Sequence, residues 1–457
     1  MTEDRQKILL FEETPIPKAV LSMSVPTIIS SLVMVIYNLA DTYFVGMVND
    51  PVQNAAVALA APVLLAFNAV NNLFGIGSSS MMSRALGSKD YDTVYRSSSF
   101  GFYCALLSGA LFSLLYTMFR SPLLVVLGSD AETVAATGEY LKWTVTFGAV
   151  PAILNVVMAY LVRAEGSSLH ASIGTMSGCL LNIVLDPIFI LPWGLHMGAA
   201  GAGLATFLSN CVACLYFFLF ILIKRGKTYV CIRPSMVRLR WTAIANICGV
   251  GIPASIQNLL NVTGMTVLNN FTAVYGADAM AAMGIAQKIN MVPMYVAMGI
   301  SQGIMPLVSY NFASGNTRRM KQTVMFSAQI SLSFLTLATC GYYMGSDFFI
   351  RLFMENDSIV AYGSRFLHGL CLGLPFLCMD FLAVGIFQAC GMGRKSLIFA
   401  ILRKIVLEIP ALYLLNALFP LYGLAFSQLA AEVVLAAAAV VVLLGLFRQL
   451  EQKTSVS

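Results

Sequence analysis

The segments VPTIISSLV (25–33) and IPASIQNLL (252–260) decide how this chain is read, because they stand as two copies of one unit about 226 residues apart. Pro26 in the first finds its counterpart in Pro253 of the second. Gly77, Ser83 and Asp90 align with Gly303, Ser309 and Asn316, each at an offset of 226, so SRALGSKD (83–90) is a cousin of SYNFASGN (309–316). VRAEG (162–166) pairs with FQACG (387–391), and GAGLAT (201–206) with LYGLAF (421–426), in the same order. A duplicated and almost wholly apolar chain points to a transporter, since rocking two related bundles is a common route to alternating access.

Composition removes the soluble alternatives. The 457 residues are 58% hydrophobic and 11% charged, and the mean hydropathy is +0.81, far from ordinary globular usage. About twelve apolar stretches are long enough to cross the hydrocarbon core: 18–47, 54–77, 94–118, 133–161, 167–192, 197–223, 242–274, 279–305, 320–343, 359–387, 396–416 and 420–447. In lipid such runs must satisfy their own backbone groups, and their length makes them helices rather than alternating barrel strands. The fold class expected is an all-α polytopic membrane protein with two pseudo-symmetric six-helix bundles. Residues 1–223 form the first, 224–241 a basic linker, and 242–457 the second. Six spans per half insert both copies in one orientation, the parallel kind of repeat.

The net charge of +6 is explained by its placement. Assigning loops alternately puts 20 of the 27 Lys and Arg residues on one side, including Arg5, Lys7, Lys18, Arg84, Lys89, Arg96, Arg163, the Lys224–Arg240 cluster and Lys453. The other side holds Arg120, Lys142, Arg351 and Arg365. The positive-inside rule then places both termini in the cytoplasm. Topology accounts for the basic loop without nucleic acid. A charged N-terminus followed by an over-long apolar run does not read as a cleavable signal peptide. Cys211 and Cys214 form a CxxC inside an apolar helix, where they read as small packing residues rather than redox or zinc ligands.

Each ionised side chain within a span demands a reason. The acids are Asp41, Asp186, Asp380, Glu408 and Glu432, and the bases Lys288, Arg403 and Lys404, which either lie near helix ends or pair with acids. Ser30, Met34, Tyr37 and Asp41 share one helical face, as do Thr175, Gly178, Asn182 and Asp186 in the fifth span. The sixth span opens with Gly198, Gly201 and Gly203 and carries Thr206, Ser209 and Asn210. Small residues let helices approach closely, so packing these faces together gathers two carboxylates, an amide and a hydroxyl. Such a pocket suits a proton or a sodium ion. The competing reading gives each Asp a purely structural role, as Asp186 beside Pro187 bonding backbone freed near a kink.

The second half differs. Gln257, Asn258, Asn261 and Asn269 are polar but uncharged, and Asp380 is either neutralised by Arg403 or Lys288, or a contact for a cationic substrate or a second coupling site. Met291, Met294, Met298 and Met305, with Phe67 and Phe74, are either an adaptable apolar lining or ordinary packing. Prolines 26, 62, 151, 187, 253, 293, 306, 375 and 410 punctuate the spans and bend them.

With NLADTYFVG in the first span, SRALGSKD after the second, RAEG before the fifth, NIVLD within it and GAGLAT opening the sixth, the chain resembles the multidrug and toxic compound extrusion (MATE) family, in particular its bacterial MepA-like members. The resemblance covers residues 15–447. It implies export of cationic, aromatic or amphipathic compounds against an inward H⁺ or Na⁺ gradient, from the bacterial cytoplasmic membrane. It also implies a coupling cation in the first lobe, held at Asp41, Asn182, Asp186 and Thr206, with the carbonyl of Ala202 as a further ligand. A sodium ion would sit at Asp41, Asn182 and Thr206. NorM-like members place a Glu in the seventh span where this chain has Asn261, and their tenth-span Asp is displaced by about one turn from Asp380, so coupling through the first lobe is favoured.

The resulting expectation is a secondary active exporter that uses no cofactor and no obligate protein partner, with Tyr37, Asn38, Gln257, Asn261, Met291 and Asp380 as candidates for a drug cleft between the lobes. A flippase for a lipid-linked precursor is the alternative; it predicts a strongly cationic cavity. An intramembrane enzyme lacks support, for no HExxH, GxSxG or Gly-rich phosphate loop occurs in a suitable setting.

Overall fold

The computed structural model describes residues 3–456, with the side chains of Arg5 and Lys453, counted in the charge pattern, outside the described set. Every regular element among them is helical. After a short N-terminal helix (Glu3–Glu12) come α1 (Ile16–Met47), α2 (Pro51–Gly87), α3 (Tyr91–Met118), α4 (134–164), α5 (Ser168–Ile190) and α6 (Ala199–Ile223). The basic loop leads to α7 (Trp241–Ala273), α8 (Ala277–Ala313), α9 (Thr317–Met344), α10 (357–389), α11 (393–418) and α12 (Gly423–Val456).

Nine of these are individually long and apolar enough to span a membrane, and the bent pairs of α4 and α10 raise the number to eleven among the described residues. The twelfth is α11, a continuous helical run whose middle, Leu402–Glu408, takes the wider π turn and carries Arg403, Lys404 and Glu408. Those charges hide it from a purely apolar criterion. The bends of 52° in α4 and 44° in α10 fall at Gly148 and Gly373, ahead of Pro151 and Pro375, which carry no N–H to continue the helical bonding across the break.

Packing divides the chain into two compact units, and the division does not follow the basic loop. One unit joins the residues up to Glu13 with Ile29–Ser255; the other joins Thr14–Ile28 with the chain from Ile256 onward. The opening halves of α1 and α7 therefore pack with the copy to which they do not belong in sequence. Small residues permit it. In the first unit a Cβ at Gly77 would stand 2.5 Å from the Ile247 carbonyl oxygen, and Ser255 Oγ donates to the Ala69 carbonyl at 2.5 Å. In the second, a Cβ at Gly299 would meet Ile28 at 2.8 Å and one at Gly303 would meet Ser24 at 2.7 Å. Each handover comes two residues after a proline, Pro26 in α1 and Pro253 in α7.

The duplication repeats down to single hydrogen bonds. Ser83 Oγ donates to the Ala164 carbonyl at 2.8 Å in the first unit, and Ser309 Oγ to the Ala389 carbonyl at 2.9 Å in the second. Asp90 caps α3 by accepting from Thr93 N–H, and Asn316 caps α9 by accepting from Arg319 N–H. Lys89 and Gly315 precede those caps with φ of 61° and 77°, a left-handed backbone that closes the helix before each turn. In the first unit the N-terminal helix is held by Lys7, whose Nζ donates to Glu165 Oε1 at 2.7 Å and to the Lys227 carbonyl at 2.9 Å. Glu165 is fully buried and also accepts from Tyr229 N–H, Thr228 Oγ1 and Ser167 Oγ.

Candidate cation-coupling site

The site lies within the first unit and is assembled by close approach of α5 and α6. Gly178 on α5 faces α6 so tightly that a Cβ there would lie 3.0 Å from the Ser209 carbonyl oxygen and 3.2 Å from Ala213 Cβ. Gly203 brings α6 against α4, where a Cβ would stand 2.9 Å from the Tyr140 carbonyl oxygen. Gly198, at φ 57°, starts α6 by a turn that only a residue without Cβ enters freely, and Gln53 Oε1 accepts from Ala199 N–H at 2.8 Å to cap it. Asn155 on α4 donates to Asn210 Oδ1 on α6 at 3.1 Å.

Along α5, Asn182 and Asp186 are one turn apart, 1% and 0% exposed. Complementarity fixes the Asn182 amide: its nitrogen must face the carboxylate, and its oxygen the donors on α6. So oriented, it donates to Asp186 Oδ2 at 2.7 Å and Oδ1 at 3.2 Å, and accepts from Thr206 N–H at 3.1 Å and Thr206 Oγ1 at 3.3 Å. Asp186 is thus served by a side-chain amide. Asp41, half-buried on α1, acts electrostatically on Asp186, and the Tyr37 hydroxyl faces the Thr206 side chain. Tyr140 on α4 faces both acids.

The four side chains and Ala202, which is fully buried, therefore occupy one neighbourhood. Asp41 makes no hydrogen bond to Asn182, Asp186 or Thr206 among the described residues. Tyr37, a cleft candidate by sequence, lies on this pocket. Tyr140 carries no sequence signal beyond that of one more aromatic in an apolar run, for it sits where α4 begins, outside any polar stripe.

The cleft candidates have various fates. Asn38 is exposed, and Gln257, Asn261 and Met291 are half-buried, with Gln257 Oε1 accepting from Gln388 at 3.3 Å. Met294 packs against the core around Ala297, Leu335 and Leu377, and Met305 is buried; these two belong to packing. Asp380 stands with the neutralised alternative, opposite Arg403. It is 1% exposed and paired with Arg403 Nη1 at 3.3 Å, while Arg403 Nε lies 2.7 Å from Glu432 and Lys404 Nζ 2.6 Å from Glu408. Lys288 is exposed and takes no part. Cys214 donates to the Pro151 carbonyl at 3.3 Å, a packing role.

Comparison with known proteins agrees with this architecture. The MatE family model matches twice, over residues 26–188 and 253–414, reproducing the duplication. The Multidrug export protein MepA of Staphylococcus aureus (strain MRSA252) is 34% identical over 457 residues, covering 98% of each chain. That of Staphylococcus haemolyticus (strain JCSC1435) is 35% identical over 94% of each. Among solved structures, an outward-facing multidrug resistance MATE family transporter of the MOP superfamily superposes with a TM-score of 0.90 at 26% identity, over 97% of this chain and 98% of that one. A MOP superfamily transporter from Pyrococcus furiosus gives 0.89 at 25% identity, over 97% and 98%. With two matches spanning most of the chain and relatives aligned end to end, this polytopic helical membrane protein belongs to the MatE family of multidrug efflux transporters.

Proposed function

We propose that the protein exports organic cations and amphipathic compounds in exchange for H⁺ or Na⁺, and that the exchange is coupled at Asp41, Asn182, Asp186 and Thr206 in the first unit. The observation that carries this reading is the Asn182 amide, which spans a buried carboxylate on α5 and the Thr206 hydroxyl on α6. A hard monovalent cation takes oxygen ligands, and the pocket offers two carboxylates and a hydroxyl. The Ala202 carbonyl is a further ligand for a physical reason. In an α-helix it is the partner of Thr206 N–H, and that N–H is drawn toward Asn182, which leaves the carbonyl lone-pair capacity for a cation. Occupation removes the repulsion between Asp41 and Asp186 and lets α1 close on α5 and α6. Release restores that repulsion, so the ion biases a two-state element, as coupling requires.

The drug contacts proposed are Asn38, Gln257, Asn261 and Met291, polar and soft groups that remain at least partly accessible. The proposed location is the bacterial cytoplasmic membrane with both termini inside, on the asymmetry of basic loops. Purified protein in proteoliposomes, with ΔpH and ΔNa⁺ imposed separately, tests the reading. Uptake of a fluorescent organic cation driven by one gradient, with counterflow of that ion, supports it. Uptake indifferent to both gradients rejects it.

A further inference from the structure

The first unit holds a buried cation that the proposed coupling site does not use. Arg163, in the last turn of α4, is 7% exposed, and its Nε is buried with no hydrogen-bond partner. Among the described residues it makes no ion pair; its contact is the Tyr160 ring, whose centroid lies 5.6 Å from the guanidinium carbon. Tyr160 is itself wedged against α2, where a Cβ at Gly75 would stand 2.5 Å from the ring. A ring offers a guanidinium its π face, and answers none of the five N–H donors with an oxygen. Buried charges persist only when paired.

The carboxylates of the flanking turns are committed elsewhere. Glu165, two residues on, accepts from Lys7 Nζ, Ser167 Oγ, Thr228 Oγ1 and Tyr229 N–H. Asp92 pairs with Arg96, and Asp90 caps α3. The second copy shows that the scaffold itself needs no charge at this place. In FQACG (387–391) the counterpart of Arg163 is Gln388, equally buried, whose amide donates to Gln257 Oε1 and Ser396 Oγ, both at 3.3 Å. Ser396 lies in the opening turn of α11, so the residue at this place reaches the first turn of the helix that follows. In the first copy that turn opens α5, joined to Arg163 through Gly166 at φ 91°. It has no side-chain cap. Ser168 Oγ and Ser172 Oγ there, at 1% and 0% exposure, are buried without hydrogen-bond partners.

We propose that Arg163 and the opening turn of α5 form a binding site for a phosphate-class oxyanion, at the end of the first unit that carries the N-terminal helix and the basic loop. The guanidinium fork matches two oxygens of such an anion. The first N–H groups of α5 and the two hydroxyls supply donors for the others, and the helix dipole favours negative charge there. A cationic ligand is repelled by Arg163, and an apolar one would leave every donor unanswered. Lys7, Lys89 and Arg96, at the same end, raise the local concentration of anions. A lipid head group and free phosphate present the same oxygens to these donors. Occupation ties the end of α4 to the start of α5, the helix that carries Asn182 and Asp186.

The full-length protein in detergent, prepared in phosphate-free chloride buffer, tests this and tells the two sources apart. Native mass spectrometry reads a retained lipid, and thermal unfolding against inorganic phosphate at constant ionic strength reads the free anion. A head group as ligand predicts a phospholipid bound to the wild type and absent from Arg163→Gln, with diacylglycerol unable to replace it. Free phosphate as ligand predicts no such lipid. The melting temperature then rises by about 2–4 °C at saturation in the wild type and stays unchanged in Arg163→Gln. Gln is what the second copy carries at this place, so that variant should fold. Arg163→Lys keeps the charge without the fork, and should need about tenfold more phosphate or retain less lipid. Lipid retention and phosphate response equal to wild type in both variants would overturn the proposal. So would a wild type with neither bound lipid nor phosphate response. None of these outcomes depends on whether Asp41 and Asp186 couple export.

Discussion

Asn182 donates its amide to both carboxylate oxygens of Asp186, at 2.7 and 3.2 Å, from one turn earlier on α5. The same side chain accepts from Thr206 on α6, so a single residue joins the buried acid to the neighbouring helix. A hydrogen bond to a charged group contributes about 1.5–3 kcal/mol. Asn182→Ala is therefore expected to shift the ion concentration for half-maximal export by roughly tenfold or more. Initial rates of dye export measured against pH and against Na⁺ check this; an unshifted ion dependence would remove Asn182 from the site.

Gly178 sets how closely α5 and α6 approach, with the Ser209 carbonyl oxygen 3.0 Å from where a Cβ would stand. Gly178→Val should push the helices apart, at a cost of about 1–3 kcal/mol, and weaken ion-driven export more than it lowers the melting temperature in detergent. Gly249→Ala, where nothing lies within 4 Å, is the control and should be silent in both assays.

The two serines that mirror one another give a test of the duplication itself. Ser83→Ala and Ser309→Ala each delete one buried bond to a carbonyl, worth about 1 kcal/mol. Their effects on thermal unfolding should be similar and, being far apart in sequence and in different units, should add. A large loss from one and none from the other would show that the two copies do not share this support.

Glu165 is buried and accepts from Lys7 Nζ and from Tyr229 N–H. Glu165→Ala leaves the N-terminal helix and the loop around Lys224–Lys227 without their common acceptor. Local opening should become easier by about 1.5–3 kcal/mol, read as faster tryptic cleavage at Arg225 and Lys227 in the folded protein. Cleavage at the wild-type rate would contradict the clasp.

The fold was legible because its signals are local. Apolar runs of membrane length and a repeated order of Pro, Gly, Ser and cap residues need no tertiary information. In the site, Asn182, Asp186 and Gly178 were legible for the same reason, since helical spacing alone puts them on one face. What escaped was whatever depends on a neighbour. Tyr140 joins the pocket only because Gly203 draws α6 against α4. Whether Arg403 or Lys288 neutralises Asp380 stays open in the sequence, because the partner lies on another helix. The unit boundaries at Ile28 and Ser255 were hidden because α1 and α7 are continuous in sequence, and only the contacts of Gly299, Gly303, Gly77 and Ser255 reveal where each half packs.

The central claim is that ion binding at the first unit drives export, and Asp41→Asn tests it most directly. Asn keeps the shape of Asp41 and removes its charge. In everted vesicles under an imposed ion gradient, the wild type is expected to transport a fluorescent cation in proportion to the gradient, whereas Asp41→Asn should still bind the dye and lose the gradient dependence. Full gradient-driven transport by Asp41→Asn would contradict the account.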